Sequence, residues 1–416
     1  MLRAMSLQMV VFIVIVLLAT AILHGYVGWR LIHRAPLSAQ GRKRAWAGVV
    51  LLGAAQPASI IGRNVIGHSP VTDAIVHVTY VLLGFVVLTF MMLLGRDLLW
   101  WGTRALDRAH GKLRSKPNLV PADISRRHAI LHGLNLGVVG ASAAGTIYGY
   151  AEARKLATVI DVDVPIRDLW PALDGFTIAQ ISDIHIGPTL KGGWLRGIVE
   201  KVNALDADIV AVTGDLVDGS VAYLGADVAP LGELKGKHGA FFVTGNHEYF
   251  SGAEPWIAEV RRLGLDVLLN EHRVIDHDGG KGQGKVLLAG VTDWHAERRM
   301  PEHKCDPAKA AEGAPATDVR LLLAHQPGTL SAAREVRCGP EGRAFDLMLS
   351  GHTHGGQFIP WNVFVSLAHP VNAGLAPFET PGGQLWVYVN QGTGYWGPPQ
   401  RLGVPAEITK LTLRRA

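Results

Sequence analysis

The sequence predicts an α/β domain joined to a membrane-spanning helical region, and three observations carry that expectation. The chain is apolar for its 416 residues, with a mean hydropathy of +0.20 and only 18% charged residues. Its first 150 residues hold four long apolar stretches. After about residue 159, short apolar runs alternate with helix-like segments, the pattern of an α/β domain, and several of those runs stop at an Asp, Asn or His.

The four stretches are expected to span a bilayer over residues 7–28, 45–62, 76–94 and 129–150, giving a transmembrane region 1–150 and a second domain 151–416. Crossing the hydrocarbon core takes about 20 apolar residues, which the first and third stretches supply. The second is interrupted by Gln56 and Pro57, a break that neighbouring helices can satisfy. The third is followed by Trp100 and Trp101, an interfacial aromatic pair. In the fourth, Gly133 and Gly137 are four apart and continue through Gly140, Ala144 and Gly145, a face suited to close helix packing.

Orientation follows from the basic residues. Arg30, Arg34, Arg42, Lys43 and Arg44 follow the first stretch, and Arg96, Arg104, Arg108, Lys112, Arg114, Lys116, Arg126 and Arg127 follow the third, whereas the loop between the second and third holds Arg63 with Asp73. The positive-inside rule makes the two basic loops cytoplasmic. Both the N-terminus and the domain after Tyr150 then lie outside the cytoplasm, against the mild opposing cue of Arg3, Arg154 and Lys155. Ser125-Arg126-Arg127 before a Gly/Ala-rich helix resembles a twin-arginine export signal, and a plain cytoplasmic arginine anchor explains it equally well. Cys305 and Cys338 form neither a disulfide framework nor a thiolate zinc site, and two unlinked thiols are the favoured reading.

In the second domain, 177–182 ends in Asp183 and His185, 209–213 in Gly214-Asp215, and 241–244 in Gly245-Asn246-His247-Glu248. The run 321–324 ends in His325, and 347–350 in Gly351-His352-Thr353-His354-Gly355-Gly356-Gln357. Sites in open α/β sheets form beyond the carboxyl ends of strands, where glycine permits sharp turns and close approach. Asp183 and His185, two apart, share one face if the backbone stays extended. Seven N/O donors (Asp183, His185, Asp215, Asn246, His325, His352, His354) exceed one tetrahedral ion and suit two ions sharing a carboxylate. The absence of thiolate points to Mn, Fe or Zn in a reactive site, the kind of pair used for displacement at phosphorus.

The order Asp-x-His, Gly-Asp, Gly-Asn-His-Glu, a lone His and Gly-His-Thr-His resembles the calcineurin-like metallophosphoesterase superfamily, from about residue 176 to the C-terminus. The forms around Asp183 and His352 most resemble those of bacterial membrane-associated and exported phosphoesterases. The resemblance implies two β-sheets packed face to face and flanked by helices. It implies that Asp183, His185 and His354 hold one ion, that Asn246, His325 and His352 hold the other, and that Asp215 bridges. A hydroxide bridging the ions would be the nucleophile. His247 would face the substrate as stabiliser or proton donor, a role worth about 10²- to 10⁴-fold.

Two departures narrow the substrate. The serine/threonine phosphatases of this superfamily carry an arginine soon after the bridging Asp, and Asp215-Leu216-Val217-Asp218-Gly219 has none. Relatives also tend to carry arginine where Gln391 stands, which leaves Arg401 as a candidate substrate contact, while His369 and Trp361, which follow the last metal motif, are candidates to line the cleft. The reading is a multi-pass protein of the bacterial plasma (inner) membrane with an extracytoplasmic hydrolase. Its substrate would be a phosphodiester or pyrophosphate of the envelope or of a lipid-linked intermediate. Alternatives are a metal- or ligand-binding sensor or transporter without turnover, and a cytoplasm-facing lipid-precursor pyrophosphatase. The second domain lacks a basic stripe with interleaved aromatics, so nucleic acid is not an expected partner.

Overall fold

The structure, a computed structural model, describes residues 7–33, 35–114, 124–280 and 282–416, with the side chains of 7–13 and 110–129 outside the description. Arg3, Arg34 and Lys116, and the side chains of Lys112, Arg114 and Ser125-Arg126-Arg127, therefore fall outside it. The chain divides into two compact units, Met1–Tyr150 and Ala151–Ala416.

The first unit consists of α1 (Leu7–Ile32), α2 (Ala39–Ile66), α3 (Pro70–Arg114) and α4 (Ile124–Ala153). Each is long and apolar enough to cross a membrane, over Val14–Ile32, Ala39–Ile66, Pro70–Ala109 and Ile130–Ala153. α3 runs well past the apolar stretch 76–94, because hydropathy marks what lipid can cover and not where the helical hydrogen bonding stops. Just beyond that stretch Asp97 is buried. It takes Arg30 of α1 at 2.5 Å and Arg96 at 2.5 Å, and accepts from the Tyr26 hydroxyl at 2.5 Å. Asn135 of α4 accepts from Arg96 and donates to the Arg30 carbonyl at 2.9 Å. Such paired charge joins three helices in a medium where an unpaired charge would be costly.

The second unit is a sandwich of two six-stranded sheets. Its strands are β1 (Thr158–Ile166), β2 (Thr177–Ile181), β3 (Ile209–Thr213), β4 (Ala240–Val243), β5 (Asp266–Val267), β6 (Glu271–Asp278), β7 (Gln283–Gly290), β8 (Val319–Leu323), β9 (Leu347–Ser350), β10 (Gly374–Thr380), β11 (Gly383–Val389) and β12 (Glu407–Arg415). The helices are α5 (Gly192–Asn203), α6 (Val221–Val228), α7 (Asn246–Ser251), α8 (Ala253–Arg262), α9 (Pro307–Ala310), α10 (Leu330–Ala333) and α11 (Trp361–Ala368). One sheet has the order β1-β12-β2-β3-β4-β5 and the other β10-β11-β9-β8-β7-β6, each with a parallel centre.

The central strands read as unbroken apolar runs because both of their faces are covered. Ile209 and Ala211 point into the core between the sheets, while Val210 and Val212 join the layer under the helices. α5 buries Leu195, Ile198, Val199 and Val202, one apolar stripe at helical spacing, in that outer layer. The opposite sheet has its own outer layer around Leu287, Leu322, Met348 and Val387. Cys305 and Cys338 are free thiols. The turn in 276–285 closes the β6–β7 hairpin, whose pairing extends to Asp278↔Gln283.

Candidate metal centre

The seven donors come from the ends of β2, β3 and β4 in one sheet and of β8 and β9 in the other. β2 stops at Ile181, and Asp183 and His185 each take a left-handed backbone with φ of 52°. The extended same-face geometry expected from their spacing is thus replaced by two tight turns. Asp215, His352 and His354 are also left-handed, at 53°, 72° and 51°. Non-glycine residues adopt this region only where surrounding structure imposes it, and five of the nine described cases are in this donor series.

Two groups result. Asp183, His185 and His354 bring one ligand atom each within 4.8 Å of one another, and so do Asp215, His325 and His352. His185 Nε2 and His354 Nε2 are 3.1 Å apart, as are His325 Nε2 and Asp215 Oδ2, while His352 Nδ1 and His325 Nε2 are 3.2 Å apart. Asp215 joins the groups, its Oδ2 also lying 3.9 Å from His185. Asn246 opens α7 beside them, and its buried Oδ1 has no hydrogen-bond partner.

The residues fit divalent cations. An orphaned amide oxygen is expensive to bury unless something positive faces it. Asp183 is fully buried, and burial raises its carboxyl above the usual range despite His325 and His185. Burial, then His325, holds His352 down to about 3, and burial with His185 holds His354 well below its usual value. Neutral imidazoles are the ligating form. His325 Nδ1 donates to the Thr213 carbonyl at 2.8 Å, which turns Nε2 towards Asp215 Oδ2; there the Asp215 charge outweighs burial and raises this imidazole well above its usual value, so a cation would take the place of that proton.

Glycine makes the close packing possible. A Cβ on Gly351 would lie 2.0 Å from Ser182 Oγ and 2.2 Å from Asp183 Oδ2. One on Gly245 would lie 2.2 Å from Asp215 Oδ1.

His247 stands at the edge of the donor groups, between the rings of Phe250 and Trp396 at 5.2 and 5.7 Å. Its backbone N–H donates to Asp215 Oδ1 at 2.8 Å. Burial disfavours its charged form, but the Asp215 charge and the Asp218 hydrogen bond outweigh burial and hold its pKa up to about 9. Asp218 is the residue the sequence reading passed over: it receives His247 Nδ1 at 2.6 Å and lies 3.3 Å from His185 Nδ1. Glu248, also unassigned, accepts from the backbone N–H groups of Asp215, Leu216 and Gly245 at 3.0, 2.7 and 2.6 Å and so locks the β3 and β4 loops together.

His369 is half-buried, with its ring 5.6 Å from that of His352. Arg401 is 1% exposed, so the structure directs it away from an open substrate position. It donates to the carbonyls of His354, Gln391, Gly392 and Gly394 and fixes the loops behind the donors. Asp293 accepts from His295 N–H and from Gln326 beside His325. Asp208, His238 and His277 form another group, but Thr177 and Lys237 already satisfy the Asp208 carboxylate.

A family model described as calcineurin-like phosphoesterase matches residues 176–356. Over 277 residues the chain is 36% identical to a Danio rerio transmembrane protein with metallophosphoesterase domain, covering 66% of this chain and 61% of that one. The Bos taurus protein of the same description is 39% identical over 65% of this chain and 60% of its own. The chain thus spans about three fifths of the length of these two relatives. A Helicobacter pylori metallophosphoesterase is 36% identical over 293 residues, 70% of this chain and 72% of that one. Donor series, sandwich and relatives agree: the chain belongs to the calcineurin-like family of metal-dependent phosphoesterases, as a membrane protein.

Proposed function

We propose that the chain is a membrane-anchored hydrolase that uses two divalent cations, of Mn, Fe or Zn, to cleave phosphodiester or pyrophosphate bonds. The observation that carries this reading is the pair of donor groups sharing Asp215, with the unpartnered Asn246 oxygen beside them. Asp183, His185 and His354 would hold one ion, Asn246, His325 and His352 the other, with Asp215 between. Such a pair, when bound, neutralises phosphoryl oxygens and supplies an attacking water of lowered pKa.

The chain's own residues supply the rest. His247, protonated and held by Asp218, is placed to give its Nε2 proton to the departing oxygen. Phe250 and Trp396 lie edge-on to its ring and help set its orientation. Arg401 holds the backbone behind His354 and thereby fixes that imidazole. The substrate class is an envelope or lipid-linked phosphoester outside the cytoplasm, supported by the basic loops after the first and third apolar stretches. The location that goes with it is a bacterial inner membrane.

Elemental analysis of the purified full chain should find two divalent ions per chain, and Asp215→Asn should cost at least about a hundredfold in phosphodiester hydrolysis. A single ion, or an Asp215→Asn enzyme within a few-fold of the parent, would overturn the two-ion reading. A reporter active only outside the cytoplasm, fused after Tyr150, tests the orientation, and silence there would reverse it.

A further inference from the structure

The six residues after His354 lead into a surface that the hydrolysis itself does not use. Phe358 is buried and Ile359 N–H donates to the Leu402 carbonyl at 2.9 Å. Gln357 exchanges hydrogen bonds with the Trp396 backbone at 2.9 and 3.1 Å. The turn is therefore firmly held beside the loop that flanks His247. From there α11 leaves the core, and none of its eight residues is buried.

Ten large apolar side chains are exposed among the described residues of Ala151–Ala416, and five of them fall between 359 and 367. They are Ile359 at 48%, Trp361 at 45%, Val363 at 55%, Phe364 at 49% and Leu367 at 83%. Scattered exposed apolar residues need no explanation, but a contiguous patch does. Two of the remaining five, Phe250 and Trp396, flank His247, so exposed apolar surface also borders the proton donor.

The chemistry of the stretch identifies what covers it. From residue 347 to residue 378 there is no Asp, Glu, Lys or Arg, so this stretch has no charged side chain of its own to keep it in water or to pair with a protein partner. Trp361 and Phe364 with three aliphatics, on and beside one short helix, are side chains that favour a bilayer interface, Trp at the headgroup level and the others in the apolar layer beneath it. The same chain carries helices long and apolar enough to cross a bilayer, and only residues 154–157 lie between the last of them and β1.

We propose that the segment 359–367 docks into the bilayer interface and presents the mouth of the metal centre to phosphoesters carried on lipid. This rests on the phosphoesterase reading above and narrows its substrate to molecules whose phosphate sits at the headgroup level and whose hydrocarbon stays in the membrane. The same surface has no part in holding a water-soluble diester.

The test uses the full chain in nanodiscs of phosphatidylethanolamine and phosphatidylglycerol. Phe364 is replaced by the photoreactive p-benzoylphenylalanine, and Lys235, an exposed residue ahead of β4, carries the same probe as a control. Illumination should give a lipid adduct from position 364 and none from position 235. A chain-to-chain adduct from 364, which would make the patch a self-association face, or no adduct there, overturns the proposal. In parallel, Val363→Ser/Phe364→Ser/Leu367→Ser should lose about tenfold or more on a diacylglycerol p-nitrophenyl phosphodiester in the nanodisc, the effect of removing apolar insertion. Its turnover of bis(p-nitrophenyl) phosphate should match the parent. Equal loss on both compounds overturns the docking role. Failure of the parent on both compounds would instead remove the phosphoesterase reading, whatever the adducts show.

Discussion

Replacing Asp218 with Asn weakens the support of the proton donor while leaving every proposed metal ligand in place. The carboxylate accepts from His247 Nδ1 at 2.6 Å, an ion pair that the amide reduces to an ion–dipole bond. The difference is about 1–2 kcal/mol, or about 5- to 30-fold in rate if it is felt in the transition state. Complete loss of the proton donor, about 10²- to 10⁴-fold, sets the ceiling. Because Asp218 also faces His185 Nδ1 at 3.3 Å, rates must be normalised to measured metal content. The assay is a series of aryl methyl phosphodiesters whose leaving phenols differ in acidity. A poor leaving group needs the proton and a good one does not, so the deficit should grow as the phenol becomes less acidic. The pH profile gives a second readout. His247 donates only while protonated, and Asp218 is one of the groups holding its pKa up to about 9, so the alkaline limb must move to lower pH in the Asn variant. A uniform deficit across the series with an unmoved alkaline limb would refute proton donation through His247.

Two further outcomes follow from packing. Gly351→Ala places a methyl group 2.2 Å from Asp183 Oδ2, so the purified protein should retain its helical and sheet circular dichroism but lose bound metal by elemental analysis. Arg320→Ala takes from buried Asp346 the guanidinium that holds it at 2.6 and 2.8 Å, leaving it the residue-320 backbone N–H at 2.7 Å, and should destabilise the second unit by about 3 kcal/mol in denaturant titration. The double variant Arg320→Ala/Asp346→Ala should recover part of that loss.

The donor series is legible because each metal ligand follows a run of residues buried on both faces, and that change from apolar to chelating is a one-dimensional signal. Asp218 gives no such signal. It lies five residues beyond β3, and its meaning depends on His247, which another strand delivers. Arg401 misleads for a related reason: an arginine near a phosphate site suggests a substrate contact, yet burial commits its donors to four carbonyls. The apolar spans are readable from hydropathy alone, whereas Arg30 meets Asp97 only when α1 packs on α3, and Asn135 of α4 then completes the cluster. The exposure of α11, none of whose residues is buried, is likewise visible only in the fold.

The left-handed turns at Asp183, His185, Asp215, His352 and His354 have a consequence for the protein's life in the cell. At about 1 kcal/mol each they would consume a sizeable share of the 5–15 kcal/mol by which a domain typically holds together. Cations that bind only the folded form return that deficit by mass action. Metal supply would then govern how many copies survive proteolysis as well as how fast each one works, and scarcity would thin the population before it slowed the chemistry.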